Sequence, residues 1–266
     1  MPAAHCGWIE TPTTRGIALV RPPSDRLAEG IVTYIQRTPV DLGLARRQHD
    51  AYRDALSTAG WTVREVEPAP AHPDSVFVED TVVIFEGLAV LTRPGPAERR
   101  AEVDGTEAAV RDLGLDVVRI VEPGTLDGGD VLQTGSTLYV GSGGRTNADG
   151  IEQLGRYLAM RGGTVVPVRL TSVLHLKSAV TALPDGTLLA LPDRIDMSVL
   201  PAVHAVDEEA GCHVVPLGDD QLLIAASAPS TAAWLSSLGW SPVVVDISEY
   251  EKLEGCVTCL NVLVPA

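Results

Sequence analysis

Along the chain, stretches with helical spacing of apolar residues alternate with short β-branched runs, and the order recurs. In 42–59, Leu44, Ala45, Ala55 and Leu56 supply an apolar face and Gly60 a stop, which predicts a helix. Further helical patterns cover 96–113, 147–161, 197–210 and the segment PSTAAWLSSLG. Between them lie strand-like runs: WTVREVEP, DVVRIVEP, GTVVPVRL, HVVPL, DDQLLIAAS and SPVVVDIS. SVFVEDTVVIFEGLAVLTRPG, GGDVLQTGSTLYVG and SAVTALPDGTLLALP each read as a pair of short strands, the last with a PDG turn signal. A closing strand is expected in VTCLNVLVP, where β-branched and apolar residues alternate.

Alternating helices and strands ordinarily suggest a doubly wound parallel sheet, but that fold needs a crossover between every pair of neighbouring strands. The hairpins argue against it. A recurring unit of strand, hairpin and helix packs better as a ring of similar blades around a central cavity, forming a single α/β domain over residues 1–266.

Composition narrows the classes of function. The chain has 266 residues, 45% hydrophobic, with 25 glycines and 19 prolines, which suits a compact turn-rich protein and excludes disorder and collagen. Its 20 basic and 35 acidic residues leave a net charge of -15, which repels nucleic-acid backbones and anionic membrane surfaces. The opening MPAAHCGWIETPTTRG lacks a basic segment followed by an apolar core, and no apolar stretch has spanning length, so a cytoplasmic protein is expected. Cys6, Cys212, Cys256 and Cys259 are too few for a disulfide scaffold and are expected reduced. Cys256 and Cys259 have the spacing of a redox pair or half a zinc site. On an extended strand, however, residues three apart face opposite sides, which places Cys259 toward the cavity and Cys256 away from it or in the turn after Gly255. Cys212 and His213 are the remaining adjacent metal candidates, without finger spacing. No metal or organic cofactor is expected.

Four segments put polar groups where a core strand would not want them. In PDSVFVEDTVV, Asp74, Glu79 and Asp80 bracket apolar residues, and the last two run directly into a buried segment, where carboxylates need partners such as a cationic ligand. In TLDGGDVL, Asp127 and Asp130 flank a double glycine. The offsets do not fit a calcium loop, and the glycines read as a turn that lets backbone approach something closely. GSGGRTNADG places Arg145 after a glycine turn and Asn147 as a helix N-cap. In SVLHLKSAV, His175 sits among aliphatic residues; by itself it reads as a core histidine, and Cys259 makes it a candidate acid/base partner of a thiol.

In order, PDSVFVED, TRPGPAERR, TLDGGDVL, GRTN, LHLKS and EGCVTCLNV resemble the motif set of the dimethylarginine dimethylaminohydrolases, in the guanidino-group modifying (pentein) superfamily. The likeness runs from about residue 74 to the C-terminus, with a looser match around RGIALVRPPSD. It implies a five-bladed α/β propeller of ββαβ units with pseudo-fivefold symmetry around a central active-site cavity, in accord with five helical patterns. It further implies Cys259 as nucleophile, His175 as general acid/base and Asp127 as the acidic member of a triad. Asp74, Glu79 and Asp80 would contact a cationic substrate, Arg99 and Arg145 its amino-acid end, and Leu253 and the Pro22 region would supply backbone contacts. Leu260 stands where vertebrate members carry a second cysteine, and Asp127 where some bacterial members carry Glu.

The implied activity is hydrolysis of Nω-methylated L-arginine to L-citrulline and a methylamine through a covalent cysteine intermediate. A short arginine deiminase is the nearest alternative enzyme, although no insertion typical of the longer deiminases is visible. A catalytically silent propeller that binds a cationic ligand is the non-enzyme alternative. The partner expected is a small cationic amino acid, and a homodimer is left open.

Overall fold

The computed structural model describes residues 15–266; Cys6 and the opening segment lie outside the described residues. Among the described residues the strands form five three-stranded sheets, all with one topology: a strand, an antiparallel partner, and a third strand parallel to the second.

The first sheet pairs β1 (Gly16–Val20) in parallel with β2 (Thr62–Glu65) after the crossover helix α1 (Leu42–Thr58). Asp41 caps α1 by accepting the Leu44 N–H at 2.9 Å, and Ala45, Gln48, His49, Tyr52 and Leu56 form its buried stripe. Gly60, at φ 92°, turns the chain out of the helix where a side chain would be strained. The second sheet is β3 (Val82–Phe85), β4 (Leu88–Leu91) and β5 (Asp116–Arg119), with α2 (Val103–Asp112) as its crossover and a 3₁₀ stretch Ala97–Glu102 leading into it. The third is β6 (Val131–Thr134), β7 (Thr137–Ser142) and β8 (Thr164–Arg169), crossed by α3 (Ala148–Ala159). Asn147 is the N-cap of α3, as expected, accepting the Gly150 N–H at 2.9 Å.

In the fourth sheet, β9 (Val180–Ala182), β10 (Leu188–Ala190) and β11 (Val203–Ala205), the expected helix over 197–210 is absent. Two 3₁₀ turns, Met197–Val199 and Glu209–Cys212, flank β11 instead. Pro201 cannot donate within a helix, and the backbone of 203–205 pairs with β10. The fifth sheet is β12 (Val214–Gly218), β13 (Gln221–Ala225) and β14 (Ser241–Val245), crossed by α4 (Pro229–Ser237). A short helix α5 (Ser248–Glu251) precedes β15 (Val262–Pro265), which pairs antiparallel with β1 and completes the first sheet.

Helix packing arranges the sheets in a ring. Apolar residues of α1 pack with Val215, Leu217, Leu223 and Val245 of the fifth sheet. Those of α2 pack with Leu19 and Val262 of the first, those of α3 with Phe85 and Val90 of the second, and Leu235 of α4 with Leu189 of the fourth. Between the third and fourth sheets, where no α-helix stands, Leu132, Val168, Leu188 and Ala190 form the contact. Each crossover thus fills the gap to the preceding blade, giving the expected pseudo-fivefold α/β propeller. Among the described residues, no helix is long and apolar enough to cross a membrane.

Candidate active site

The first strand of every sheet is preceded by a tight turn, and these turns carry the polar groups. Glu79 and Asp80 lie on the 3₁₀ turn Val78–Thr81 before β3, and Asp127 immediately precedes the turn Gly128–Asp130 before β6. His175 stands at the start of Leu176–Ser178 before β9. Cys259 lies in a turn before β15, and Cys212 and His213 occupy the equivalent place before β12. The expected closing strand is therefore shorter than its apolar pattern suggests, because the Cys259 N–H donates to the Cys256 carbonyl at 3.1 Å and folds 256–259 into a turn. The two thiols do not face opposite sides; their sulfurs lie 3.1 Å apart.

Cys259, His175, Asp80, Asp74, Arg99, Arg145 and Leu253 line one pocket, closed by Ile31, Phe77, Leu174, Glu254 and Gly255. The remaining cavity is about 10 Å³, about room for one water. Its cover is the segment after Gly30: the Ile31 N–H donates to Asp74 Oδ1 at 3.0 Å, and Thr33 and Tyr34 N–H groups donate to Glu254 at 2.6 and 2.7 Å. The space left is too small for a guanidino compound.

At the heart of the site, His175 Nε2–H donates to Asp127 Oδ2 at 3.0 Å, while His175 Nδ1 lies 3.8 Å from Asp80 Oδ1. Asp127 is 0% exposed; its Oδ1 accepts the Gly95 N–H at 2.8 Å, and Arg145 Nη1 stands 3.6 Å from its Oδ2. Burial by itself lowers the His175 pKa, but Asp80 and the hydrogen bond to Asp127 overcome it and push the imidazole up to about 9. His175 is accordingly protonated at neutral pH. Burial alone would raise Asp80, yet His175 and Arg99 hold it well below the usual carboxylate range.

Cys259 is pushed up by the hydrogen bond it shares with Cys256, by burial, and by the nearby carboxylates Glu79 and Asp80. Its resting state is the thiol.

The double glycine of LDGGD has a steric cause. A Cβ on Gly128 would stand 2.0 Å from the Glu79 carbonyl oxygen, and one on Gly129 would stand 2.6 Å from His175 Nδ1 and 2.8 Å from Asp80 Oδ1. The close approach read from the sequence is thus that of the Gly128 and Gly129 backbone to Glu79, Asp80 and His175, and the Gly129 N–H donates to Asp80 Oδ1 at 2.9 Å.

Three expectations are revised. Glu79 turns away from the pocket: Lys177 Nζ donates to it at 2.5 Å and Thr258 Oγ1 at 3.1 Å, and all three line a second cavity of about 820 Å³. Neighbours along the chain divide between the two cavities, Asp80 and Cys259 in one, Glu79 and Thr258 in the other. Burial, opposed by Lys177, raises Glu79 to about 7. Pro22 is not among the pocket residues; Ile31 is there instead. Arg99 lines the pocket but is engaged within the protein, donating to Asp80 at 2.6 Å, to Glu102 at 2.8 Å and to the Asp74 and Phe77 carbonyls.

Sequence reasoning passed over Glu102, although its i,i+3 spacing from Arg99 signals a helical ion pair. It also passed over Glu254, whose φ of 61° is unusual for a residue with a side chain. Asp80, Asp127 and His175 offer ligand atoms within 4.8 Å of one another, close enough for a metal ion. Arg99 and Arg145 already neutralise the two carboxylates, which suits an acid/base group better than a dication.

No family model matches the chain. It is 58% identical over 246 residues to the N(G),N(G)-dimethylarginine dimethylaminohydrolase of Streptomyces coelicolor, covering 92% of this chain and 95% of that protein. The enzyme of the same name from Pseudomonas aeruginosa is 34% identical over 250 residues, 91% of this chain and 97% of the relative. Among solved structures, a dimethylarginine dimethylaminohydrolase adduct with S-methyl-L-thiocitrulline matches with a TM-score of 0.87 at 31% identity, over 94% of this chain and 100% of that one. With its fold and its sequence matched over nearly their whole length, this chain belongs to the dimethylarginine dimethylaminohydrolase family.

Proposed function

We propose that the protein hydrolyses Nω-methylated L-arginine, asymmetric dimethylarginine and monomethylarginine, to L-citrulline and di- or monomethylamine. The observation that carries the assignment of roles is the single pocket that gathers Cys259, a protonated His175 bonded to Asp127, and the carboxylates Asp74 and Asp80. Relatives support the substrate class: the P. aeruginosa enzyme has been solved as a cysteine-to-serine variant with citrulline.

A guanidinium is delocalised and always charged, so its central carbon accepts a nucleophile only when carboxylates fix it beside one. Asp74 and Asp80 supply that negative surface. The arriving cation offsets the repulsion that Glu79 and Asp80 exert on a Cys259 thiolate, so substrate binding itself favours the ionised nucleophile. The thiolate attacks the guanidinium carbon to give a tetrahedral adduct. His175 then protonates the methylated nitrogen through Nδ1, the ring nitrogen not bonded to Asp127, and the amine leaves behind an S-alkylthiouronium. The imidazole, now neutral, takes a proton from water as the water attacks the same carbon. Collapse of the second adduct expels the Cys259 thiolate and yields citrulline. Asp127 holds the ring's orientation and tautomer throughout, and Arg145, one of the pocket residues, pairs with the substrate carboxylate.

The test is to incubate the purified protein with asymmetric dimethylarginine and with arginine and to measure citrulline, with Cys259→Ser and His175→Ala alongside. Citrulline from the methylated substrate, abolished in both variants, is expected. Citrulline from arginine alone would overturn the substrate assignment.

A further inference from the structure

Cys256 has no part in the reaction just described, yet it touches the nucleophile. The two residues are the first and fourth of a hydrogen-bonded turn, the Cys259 N–H meeting the Cys256 carbonyl at 3.1 Å. Such a turn keeps its end Cα atoms within about 7 Å, and a disulfide spans about 4.4–6.8 Å between them. The sulfurs stand 3.1 Å apart, and the Cys256 N–H reaches Cys259 Sγ at 3.4 Å. Closing to a bond of about 2.05 Å requires a movement of roughly 1 Å. No strand ladder resists it, because 256–261 lies outside β15. Cys212 is not a competitor: its sulfur is turned to the Glu209 and Ser178 carbonyls at 3.2 and 3.6 Å.

We propose that Cys256 and Cys259 form a reversible modification site, in which a peroxide converts the nucleophile and its neighbour to a disulfide that switches the enzyme off and shields Cys259 from irreversible oxidation. This rests on the reading of Cys259 as nucleophile for its effect on activity, though not for the bond itself.

The chemistry balances. Cys259, 8% exposed in the pocket against 3% for Cys256, gives up its proton as its sulfur attacks one peroxide oxygen; the O–O bond breaks, the sulfur becomes a sulfenic acid, and the departing hydroxide takes that proton and leaves as water. The Cys256 sulfur then attacks the Cys259 sulfur, forms the S–S bond and expels the second oxygen as water. Two thiols and one hydrogen peroxide give one disulfide and two waters, and two equivalents of a small thiol reverse it. The Cys256 thiol is poised for the second step: its hydrogen bond with Cys259 and the nearby His213 imidazole lower its pKa against the effect of burial. Without Cys256, the sulfenic acid has no adjacent thiol and is open to further oxidation.

The experiment treats the whole protein and a Cys6→Ser/Cys212→Ser variant with hydrogen peroxide, blocks free thiols, and reads peptide masses and activity before and after dithiothreitol. Expected is a loss of about 2 Da confined to the peptide carrying 256 and 259, with activity lowered at least about tenfold and regained on reduction. In Cys256→Ser the same treatment is expected to add about 32 Da or more to Cys259 as sulfinic or sulfonic acid, without recovery. The proposal is overturned if the unaltered pair oxidises directly to sulfinic acid, if the bond joins other cysteines, or if Cys256→Ser recovers as fully as the parent. A 256–259 bond that leaves activity unchanged refutes the switch and separately removes Cys259 from the reaction.

Discussion

Replacing Asp127 by Asn tests the acid/base group with the least disturbance of shape. The amide keeps an oxygen for the Gly95 N–H, now 2.8 Å from Oδ1, but presents an NH₂ to His175 Nε2, where a carboxylate now accepts the Nε2–H hydrogen bond at 3.0 Å. His175 must then turn, or surrender the proton on Nε2 and become neutral in the other tautomer. A charged hydrogen bond of this kind contributes about 1.5–3 kcal/mol, and about 1.4 kcal/mol corresponds to one pH unit, so the pKa falls by about one to two units. From about 9, this brings the imidazole close to neutrality. General acid catalysis supplies about 10²–10⁴-fold, and a wrong tautomer forfeits most of it. The assay is citrulline release against pH, at limiting and saturating substrate. The expected result is a fall in kcat of about 10²–10⁴-fold, with the alkaline limb of kcat/KM displaced downward by about one to two units. A fall of less than about threefold with an unmoved alkaline limb would refute the coupling of Asp127 to His175.

Three further outcomes follow from the same contacts. Arg99→Ala leaves Glu102 buried without its cation and Asp80 with His175 alone, which costs about 3–5 kcal/mol, so calorimetry is expected to show Tm lower by roughly 6–20 °C. Gly129→Ala forces a methyl group to within 2.6 Å of His175 Nδ1, so activity is expected to fall far more than Tm; equal loss of both would contradict the placement. Stability has its own pH signature: Glu79 and Asp130 are each raised to about 7 by burial, and His175 is held at about 9 by Asp80 and Asp127 against burial. In each case the folded chain binds its proton more tightly than the unfolded chain, so the stabilisation is complete below the unfolded pKa and is lost as pH rises through the folded one. Tm is therefore expected to decline from about pH 5 to pH 9, and His175→Gln is expected to flatten the part above about pH 6.5.

Much of the ring was legible because its blades are built from periodic segments with ordinary punctuation. Gly60 ends α1 and Asn147 starts α3 where the pattern places them. The misread closing segment has a plain cause: its apolar residues are buried by neighbours on several sides, so periodicity no longer reports backbone conformation. Val257, Cys259 and Leu260 are buried around a turn that Tyr52 braces by donating its hydroxyl to the Val257 carbonyl at 2.6 Å. Residues 197–210 look helical through Val199, Leu200, Val203 and Val206, but His204 stacks on Trp234 at 3.8 Å between ring centroids. Glu208 there accepts the Ser230 and Thr231 N–H groups at the start of α4. In the site, the charged residues were visible as polar interruptions of apolar runs. Their division between two cavities was not, because a 3₁₀ turn sends Glu79 and Asp80 in different directions and no spacing rule announces it. The contact between Cys256 and Cys259 was hidden for the same reason, since the strand assumed for them separates residues that a turn joins.

The most direct test of the account is to trap the covalent intermediate. Acid quenching during turnover of asymmetric dimethylarginine, followed by digestion and mass spectrometry, is expected to find the substrate less dimethylamine attached to Cys259 and to no other residue. An unmodified Cys259 peptide while citrulline accumulates, or citrulline formed at the parent rate by Cys259→Ser, would contradict it.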